Sequence, residues 1–391
     1  MSEKQINQII GNVFNQLADT LISGEYGQKP RIAVTAMGSE HGEDNVFAAA
    51  ANTLKNGIDT TVIGSKSAEG VKTKFASSED DAHKVMESLF NLKEIDAAVT
   101  MHYPFPIGVS TVGKIVTPGK GKEMFIATTT GTSSTDKIEG MVKNAIYGII
   151  TAKACGIKNP SVGILNIDGA RQTEIALKKL KDQGYDINFA ESQRADGGAV
   201  MRGNDLLMGS ADVMVMDSLT GNLMIKIFSS YTTGGNYESL GYGYGPGIGE
   251  GFDKLILIIS RASGVPLIEG AIEFASELVK GNCLAIAKEE FNKVHKAGLT
   301  EILNGVKAGK KAAKEEDEIK APEKQIVTSQ ISGIEIMDLE DAVKLLWKNS
   351  IYAESGMGCT GPIILVNDSN SEKAIKILAD NGYIAKDRCD C

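Results

Sequence analysis

The residues that decide the fold class are RIAVTAMGSEHG at positions 31–42, together with the helix and the strand that follow them. The apolar run at 31–34 predicts a short strand, which the glycine-containing turn over 35–42 interrupts. Residues 43–56 then carry apolar side chains at helical spacing, and residues 60–64 predict a second strand. A strand, a turn, a helix and a strand in this order predict an α/β unit with a parallel sheet.

The same alternation continues along the chain, with further strands predicted at 95–100, 124–127, 159–167, 211–217 and 255–260. Ligands of parallel sheets bind beyond the carboxyl ends of the strands, so the turn at 35–42 is a candidate wall of a site. His41 in this turn is a candidate base or phosphate ligand, but a single loop histidine is more often a surface residue. No GxGxxG lies at a strand-to-helix turn and no P-loop occurs, so nucleotide binding has no local support.

Composition and charge restrict the class of protein. The 391 residues are enough for about two to three domains, and the net charge of −9 argues against a nucleic-acid or anionic-membrane surface. Five cysteines without a CxxC pair favour a reducing cytoplasm over a disulfide framework. Residues 1–29 predict an amphipathic N-terminal helix, and no apolar run approaches the ~20 residues that span a bilayer.

A hydroxyl-rich segment follows the predicted strand at 124–127. It runs from Thr128 to Thr135 and offers Thr130, Gly131, Thr132 and Ser133 as phosphate ligands. Asn222, in the polar stretch beyond the strand at 211–217, is grouped with them. The alternative interpretation, which the residues leave equally open, is a polar turn that caps the helix beginning near Asp136.

Two segments have an unusual composition. Residues 234–251 are rich in glycine, which is typical of a lid, a backbone wall around a ligand or a disordered surface loop. Residues 307–324 are mostly charged and predict a solvated linker. The linker separates a body at 30–306 from a small C-terminal module at 325–391.

The module contains a thiol between glycines, in the sequence Gly358-Cys359-Thr360-Gly361. Backbone N–H groups of such a loop favour a thiolate and the oxyanion of a thioester, so Cys359 is a candidate nucleophile. The alternative is a tight turn around a small buried cysteine. Cys389 and Cys391 are predicted to belong to a frayed end, and no metal site is expected.

Four stretches, in order, resemble the PlsX family of phosphate acyltransferases. They are RIAVTAMGSEH at 31–41, where the family has RIAVDAMGGDH, then NPSVGILNI at 159–167, DVMVMDSLTGN at 212–222 and GVPLIEG at 264–270. The resemblance implies a phosphotransacetylase-like body, of the isocitrate and isopropylmalate dehydrogenase type, with two α/β subdomains around a cleft. The small α/β module with Cys359 is an addition to it.

The departures from PlsX lie in turns of that family's cleft: residues 100–108 and 129–135 differ from its pattern, and Thr35 replaces an aspartate. A PlsX-like body with an added thiol module resembles the component C alpha subunits of the glycine, sarcosine and betaine reductase complexes. This resemblance covers essentially the whole chain, and the loop at 356–361 is its most specific part.

The resemblance implies an enzyme subunit that accepts a two-carbon unit from carboxymethylated selenoprotein component A as an acetyl thioester on Cys359. The acetyl group is then released to phosphate, a substrate, as acetyl phosphate, with a thiolase-like beta subunit as partner and no bound cofactor. Gly358, Thr360 and Gly361 would stabilise the thiolate and the oxyanion. Two alternatives stay open: a phosphate acyltransferase without a covalent intermediate, and a non-catalytic scaffold subunit.

Overall fold

The computed structural model describes residues 29–193, 197–315, 320–358 and 361–384, together with Gly11 and Phe14, which are both helical. The remainder of the predicted N-terminal helix lies outside these residues, as do Cys359, Thr360, Cys389 and Cys391. The chain divides into two compact units. The body holds residues up to Asn166 and Gln172–Thr300, and the C-terminal module holds Ile167–Arg171 and the residues from Glu301 onward.

One continuous sheet of twelve strands forms the core of the described body. The strands are β1 Arg31–Thr35, β2 Asp59–Gly64, β3 Lys72–Phe75, β4 Ala97–Thr100, β5 Val109–Val116, β6 Glu123–Thr132, β7 Ser161–Leu165, β8 Asn188–Phe189, β9 Val200–Met201, β10 Val213–Val215, β11 Gly245–Ile248 and β12 Ile256–Ile258.

Helices cover this sheet and connect its parallel strands. They are α1 Glu43–Lys55, α2 Glu79–Asn91, α3 Lys137–Ala154, α4 Ala170–Asp182, α5 Gly203–Met208, α6 Ser218–Ser230, α7 Val265–Lys280 and α8 Cys283–Lys296. None of the helices in the described ranges is both long enough and apolar enough to cross a membrane.

The sheet contains two parallel blocks. Strands β3, β2, β1, β4 and β12 form the first block in that order, and β6, β10 and β7, with β8 and β9 beside β7, form the second. Antiparallel strands β11 and β5 join the two blocks. The predicted α/β class is therefore confirmed, including the strand, turn, helix and strand at its N-terminus.

The core is apolar because the parallel strands are covered on both faces. Ile32, Ala33 and Val34 of β1 are completely buried, and helix α3 is buried over most of its length. Gly148 lets α3 approach the sheet, since a Cβ atom there would lie 2.3 Å from the Val213 side chain. These contacts position the segment that leads from β6 into α3.

The glycine-rich stretch at 234–251 is not a surface loop or a lid throughout, because its residues 245–248 form the central strand β11. A Cβ atom at Gly245 would lie 1.7 Å from the Val112 carbonyl oxygen, and one at Gly247 would lie 2.4 Å from the Phe105 ring. Glycine is therefore required by the close approach of neighbouring chains. Tyr244, directly before this strand, is buried.

The module contains a three-stranded antiparallel sheet rather than parallel α/β units. Strands β13 Ser329–Ser332, β14 Ala353–Gly358 and β15 Gly361–Val366 pair in the order β13, β15, β14. Helices α10 Leu339–Lys348 and α11 Ser371–Asp380 contribute Leu346 and Leu378 to a core that also contains Ile364. Helix α9 spans Leu299–Glu315 and so extends into the predicted linker at 307–324; residues 316–319 lie outside the described residues.

Candidate functional site

The hydroxyl segment, defined as residues 128–135, is organised by Thr111 of the neighbouring strand β5. The Thr128 hydroxyl donates to the Thr111 carbonyl oxygen, and the hydroxyl oxygens of Thr129 and Thr111 lie 2.7 Å apart. The Thr130 amide donates to the Thr111 hydroxyl at 3.1 Å. Thr128 and Thr129 are thus buried structural residues. The Thr130 hydroxyl, in contrast, makes no hydrogen bond within the described residues.

Helix α6 lies directly against this segment. Asp217 caps the helix by accepting hydrogen bonds from the amides of Leu219 and Thr220, both at 3.0 Å. A Cβ atom at Gly221 would lie 1.7 Å from the Thr128 carbonyl oxygen, so glycine permits the contact. The Asn222 amide nitrogen donates to the Thr129 carbonyl oxygen at 3.0 Å. These contacts fix Asn222 beside Thr130.

A polar pocket of about 380 Å³, here called the α6 pocket, opens at this point. Its lining includes the residues that follow β4 and β12, where the carboxyl ends of parallel strands were expected to form a site. The lining residues are Glu40, Met101, His102, Thr130, Asn222, Lys226, Tyr244, Ile258, Ile259, Ser260 and Arg261. The structure therefore brings the predicted Thr130 and Asn222 together.

The turn at 35–42 contributes to this pocket through Glu40 and not through His41. The His41 Nε2 atom lies 3.3 Å from the Ala262 carbonyl oxygen, and the ring contacts Tyr237 edge-on. His41 thus braces the turn from outside the pocket.

Lys226 is a pocket residue that the sequence interpretation missed. A usable signal was present, since Lys226 follows Asn222 by four residues and the two side chains share one face of helix α6. Its Nζ atom lies 3.5 Å from Oε1 of Glu238, the ion-pair partner that it has among the described residues. This is longer than a charge-assisted hydrogen bond of about 2.7–2.9 Å. The ammonium group therefore retains donors for a ligand.

The second cation of the pocket, Arg261, is already paired. Its two terminal nitrogens contact the Glu79 carboxylate at 2.9 and 2.6 Å, and one of them also contacts the Gly38 carbonyl oxygen at 3.3 Å. The hydrogen bond from Arg261 lowers the pKa of Glu79, and the same bond raises the pKa of Arg261. Lys226 is consequently the less compensated of the two cations.

An aromatic pocket of about 280 Å³ adjoins the α6 pocket and shares Met101, His102, Thr130 and Ile258 with it. Its additional lining comes from Tyr103, Pro104, Phe105 and Gly131. The Tyr103 and Phe105 rings are 5.0 Å apart, and the Tyr103 hydroxyl donates to Glu87 at 2.8 Å. Burial and then this carboxylate raise the pKa of Tyr103 to about 12, so the phenol remains protonated.

On its other side the hydroxyl segment lines a smaller pocket of about 170 Å³, here called the α3 pocket. Gly131, Thr132, Ser133, Lys137, Asn144 and Asp217 are among its lining residues. The Ser133 hydroxyl is 2.6 Å from Oδ1 of Asn144 and 3.2 Å from the Gly140 carbonyl oxygen. Asp136 caps helix α3 by accepting from the Glu139 amide at 2.9 Å.

The predicted phosphate ligands are therefore divided between pockets. Thr130 and Asn222 line the α6 pocket, Thr132 and Ser133 line the α3 pocket, and Gly131 lines the α3 and aromatic pockets. The capping alternative expected a serine or threonine of this segment as the cap of helix α3, whereas Asp136 is the cap. It does not account for Thr130.

In the module, the thiol loop joins two strands of one hairpin. Strands β14 and β15 are paired from Ala353 and Val366 to Gly358 and Gly361, the last pair. Gly361 has a φ of +130°, which favours glycine. Cys359 and Thr360, which connect this last pair in the sequence, lie outside the described residues.

Comparisons with known proteins connect both units to characterised families. The model of the family described as "Fatty acid synthesis protein" matches residues 30–365. The glycine/sarcosine/betaine reductase complex component C subunit alpha of Peptoclostridium acidaminophilum is 57% identical over 382 residues, which cover 97% of this chain and 99% of that protein.

More distant relatives match parts of the chain. A phosphate acyltransferase of Halothermothrix orenii is 28% identical over 199 residues, which cover 42% of this chain and 57% of the relative. A branched-chain phosphotransacylase structure from Enterococcus faecalis has a TM-score of 0.44 at 16% identity and covers 63% of this chain and 99% of its own.

Proposed function

Because the chain belongs to the fatty acid synthesis protein family and to the component C alpha subunits of the glycine/sarcosine/betaine reductase complexes, we propose that it transfers an acetyl group from Cys359 to phosphate. The observation that carries the proposal is the α6 pocket, where Thr130, Asn222 and Lys226 converge in an acyltransferase-like body. The product of this reaction is acetyl phosphate.

Phosphate binding in the α6 pocket is favoured by the groups that this pocket leaves available. The Thr130 hydroxyl has no hydrogen-bond partner among the described residues, and Lys226 has one long ion pair. A hydroxyl donor and an ammonium group together suit the oxygens of a phosphate dianion. The adjoining aromatic pocket, which shares Thr130, offers apolar surface for the methyl group of acetyl.

The thiol step is assigned to Cys359 on chemical grounds. The other cysteines in the described residues, Cys155 and Cys283, are poor nucleophiles because burial raises the pKa of both thiols, that of Cys283 to about 12. A phosphate oxygen attacks the thioester carbonyl carbon, forms a C–O bond and expels the Cys359 thiolate as the C–S bond breaks. Backbone N–H groups of Gly358 to Gly361 are the proposed donors to the intermediate oxyanion.

The reductase complex supplies the partners in this proposal. Selenoprotein component A delivers the two-carbon unit, and a thiolase-like beta subunit of component C accompanies this chain in the cytoplasm. Phosphate enters as a substrate.

The direct test uses the reverse reaction. The chain is incubated with isotopically labelled acetyl phosphate, quenched in acid and mapped by mass spectrometry. We expect the acetyl label on the peptide that contains Cys359, and its loss in Cys359→Ala but not in the matched variant Cys155→Ala. Label on another residue, or none in an active preparation, contradicts the proposal.

A phosphate acyltransferase without a covalent intermediate is the second candidate, and the family match of the body favours it. In that case Cys359→Ala would retain arsenate-dependent hydrolysis of acyl thioesters. A scaffold subunit would show neither label nor hydrolysis.

A further inference from the structure

Glu238 is a buried carboxylate beside the α6 pocket. It lies in the glycine-rich stretch at 234–251, for which the sequence indicated no role of a charged side chain. The residue is 3% exposed. Its amide donates to the Ala262 carbonyl oxygen at 3.0 Å, and its own carbonyl oxygen accepts from the Gly264 amide at 2.8 Å. The backbone at Glu238 is therefore fixed on both sides, and the side chain extends from a defined position.

The interactions of this carboxylate are incomplete. Oε1 accepts a hydrogen bond from the Tyr244 hydroxyl at 2.9 Å and lies 3.5 Å from Nζ of Lys226. Oε2 is buried and has no hydrogen-bond partner in the described residues. A buried polar atom without a partner is rare and requires an explanation, because desolvation without a hydrogen bond is costly. Both partners of Oε1, Tyr244 and Lys226, line the α6 pocket.

The Tyr244 hydroxyl is hydrogen-bonded to the Glu238 carboxylate and not to the Lys226 ammonium group. Burial and then the charge of Glu238 raise the pKa of Tyr244 well above its ordinary value, so its hydroxyl remains a donor to Glu238. The Lys226 ammonium lies 5.5 Å from the centre of the Tyr244 ring, within the range of a cation–π contact. The Glu238 side chain is thus buried and hydrogen-bonded, whereas the Lys226 side chain is half-exposed.

We propose that Glu238 is an internal counter-ion that holds Lys226 in the empty α6 pocket and that phosphate or an acyl phosphate displaces it from the ammonium group on binding. The identity of the anion rests on the proposed function. Lys226 contacts the ligand, and Glu238 is a positioning residue that competes with the ligand for the same cation.

Because Glu238 competes with the anion for Lys226, removing its charge should strengthen anion binding and not weaken it. Removing the Glu238 charge eliminates a competitor and a nearby like charge, and both effects strengthen anion binding. A purely structural role would have the opposite result, because loss of a buried interaction would loosen the pocket and weaken binding.

The test is calorimetric titration of inorganic phosphate into the full chain in the Cys359→Ala background, where no acyl transfer contributes heat. We expect Glu238→Gln to lower the Kd for phosphate about three- to tenfold and Lys226→Met to raise it about tenfold or more. In the double variant the gain from Glu238→Gln should shrink to less than about twofold, because the competition acts through Lys226. Glu94→Gln, which removes the partner of Lys74 in an exposed ion pair, is the matched control and should change nothing.

Glu238→Asp provides a second variant if the glutamine does not fold. It keeps the buried charge but retracts it from Lys226, so phosphate binding should tighten by a smaller factor. Unchanged or weaker phosphate binding in a folded Glu238→Gln or Glu238→Asp chain overturns the inference, as does equal tightening with and without Lys226.

The outcome is separable from that of the proposed function. Acetyl labelling of Cys359 tests the thioester and not the counter-ion. If the label is present but the Kd for phosphate does not change on mutation of Glu238, this inference alone is overturned. A chain that binds no phosphate at all overturns it as well.

Discussion

The α3 pocket and the α6 pocket lie on two sides of the same hydroxyl segment, yet they use its side chains in different ways. On the α3 side, Ser133 and Asn144 are buried and hydrogen-bonded to each other. On the α6 side, the Thr130 hydroxyl has no partner in the described part of the chain, and Lys226 has one long ion pair. A hydroxyl-rich sequence thus contains side chains that the protein itself satisfies and a side chain that it leaves available to a ligand, and the hydrogen bonds distinguish them.

The difference shows where stability and where binding should be sensitive to mutation. Groups that are already satisfied by the protein stabilise the fold, and their removal leaves buried partners unpaired. Groups that the protein leaves unsatisfied cost little stability to remove, and we expect their removal to affect ligand binding instead.

The largest effect is expected on the free energy of unfolding, when one glycine is replaced in each of the two helices that border the pockets. Gly221→Ala places a Cβ atom 1.7 Å from the Thr128 carbonyl oxygen, so helix α6 must move away from β6. We expect a loss of about 3 kcal/mol in the free energy of unfolding, measured by denaturant titration, together with weaker phosphate binding. Gly140→Ala in α3 is the matched control, because the nearest atom to its Cβ, Ser133 Oγ, is 3.4 Å away. It should be neutral or stabilise by less than about 1 kcal/mol, and equal losses for both variants would refute the distinction.

The next effect compares two asparagines. Asn144→Ala removes the acceptor of Ser133 and the donor to the Met216 carbonyl oxygen at 3.0 Å. We expect it to cost about 2–3 kcal/mol of stability and to leave the Kd for phosphate within about twofold. Asn222→Ala, which loses one hydrogen bond, should cost about 1 kcal/mol but weaken phosphate binding. The reverse pattern would show that phosphate binds on the α3 side.

A smaller effect is expected from single hydroxyl groups. Thr130→Val keeps the shape of the side chain and removes a donor to phosphate, so the Kd should rise about three- to tenfold with little change in melting temperature. Thr132→Val makes the same chemical change at an exposed position of the α3 pocket and should leave the Kd unchanged. Calorimetric titration of phosphate into both variants measures the two Kd values. A loss of affinity for Thr132→Val alone would reject the assignment of Thr130 as a phosphate ligand.

The smallest effect concerns the exposed counter-ion of the α6 pocket. Glu79→Gln releases Arg261 from its ion pair, but both side chains are well exposed and water and salt screen their charges. We expect phosphate binding to tighten by about twofold or less, and this change should disappear at high ionic strength. An effect larger than that of Glu238→Gln would mean that Arg261, and not Lys226, is the principal cation.

Much of the fold was predictable from sequence because several of its strands are continuous runs of apolar residues. The runs at 31–34, 161–165 and 213–215 are buried in parallel strands, as an uninterrupted apolar run predicts. The strand β11 was not predictable in this way. Its glycines are required because Val112 and Phe105, from distant parts of the chain, lie too close for a Cβ atom. The segment at 307–324, which helix α9 enters, was predicted to be a solvated linker because it is mostly charged and lacks apolar residues for a core.

The candidate site was predictable in part. Thr130 and Asn222 were predicted as ligands because each has a polar side chain and comes after a predicted strand, and both line the α6 pocket. The hydroxyl of Ser133 is engaged by Asn144, eleven residues away along the chain, and no local pattern reveals that contact. Glu238 gave no signal for a similar reason: its burial and its pairing with Lys226 arise only in the folded chain. Cys359 remains a prediction from sequence.

The central claim, that phosphate binds on the α6 side of the hydroxyl segment, is tested most directly by comparing one lysine from each pocket. Inorganic phosphate is titrated calorimetrically into Lys226→Met and Lys137→Met chains, which each lose one positive charge and one flexible side chain. We predict that the Kd rises about tenfold or more for Lys226→Met and stays within about twofold for Lys137→Met. A Kd that rises for Lys137→Met and not for Lys226→Met would contradict the account.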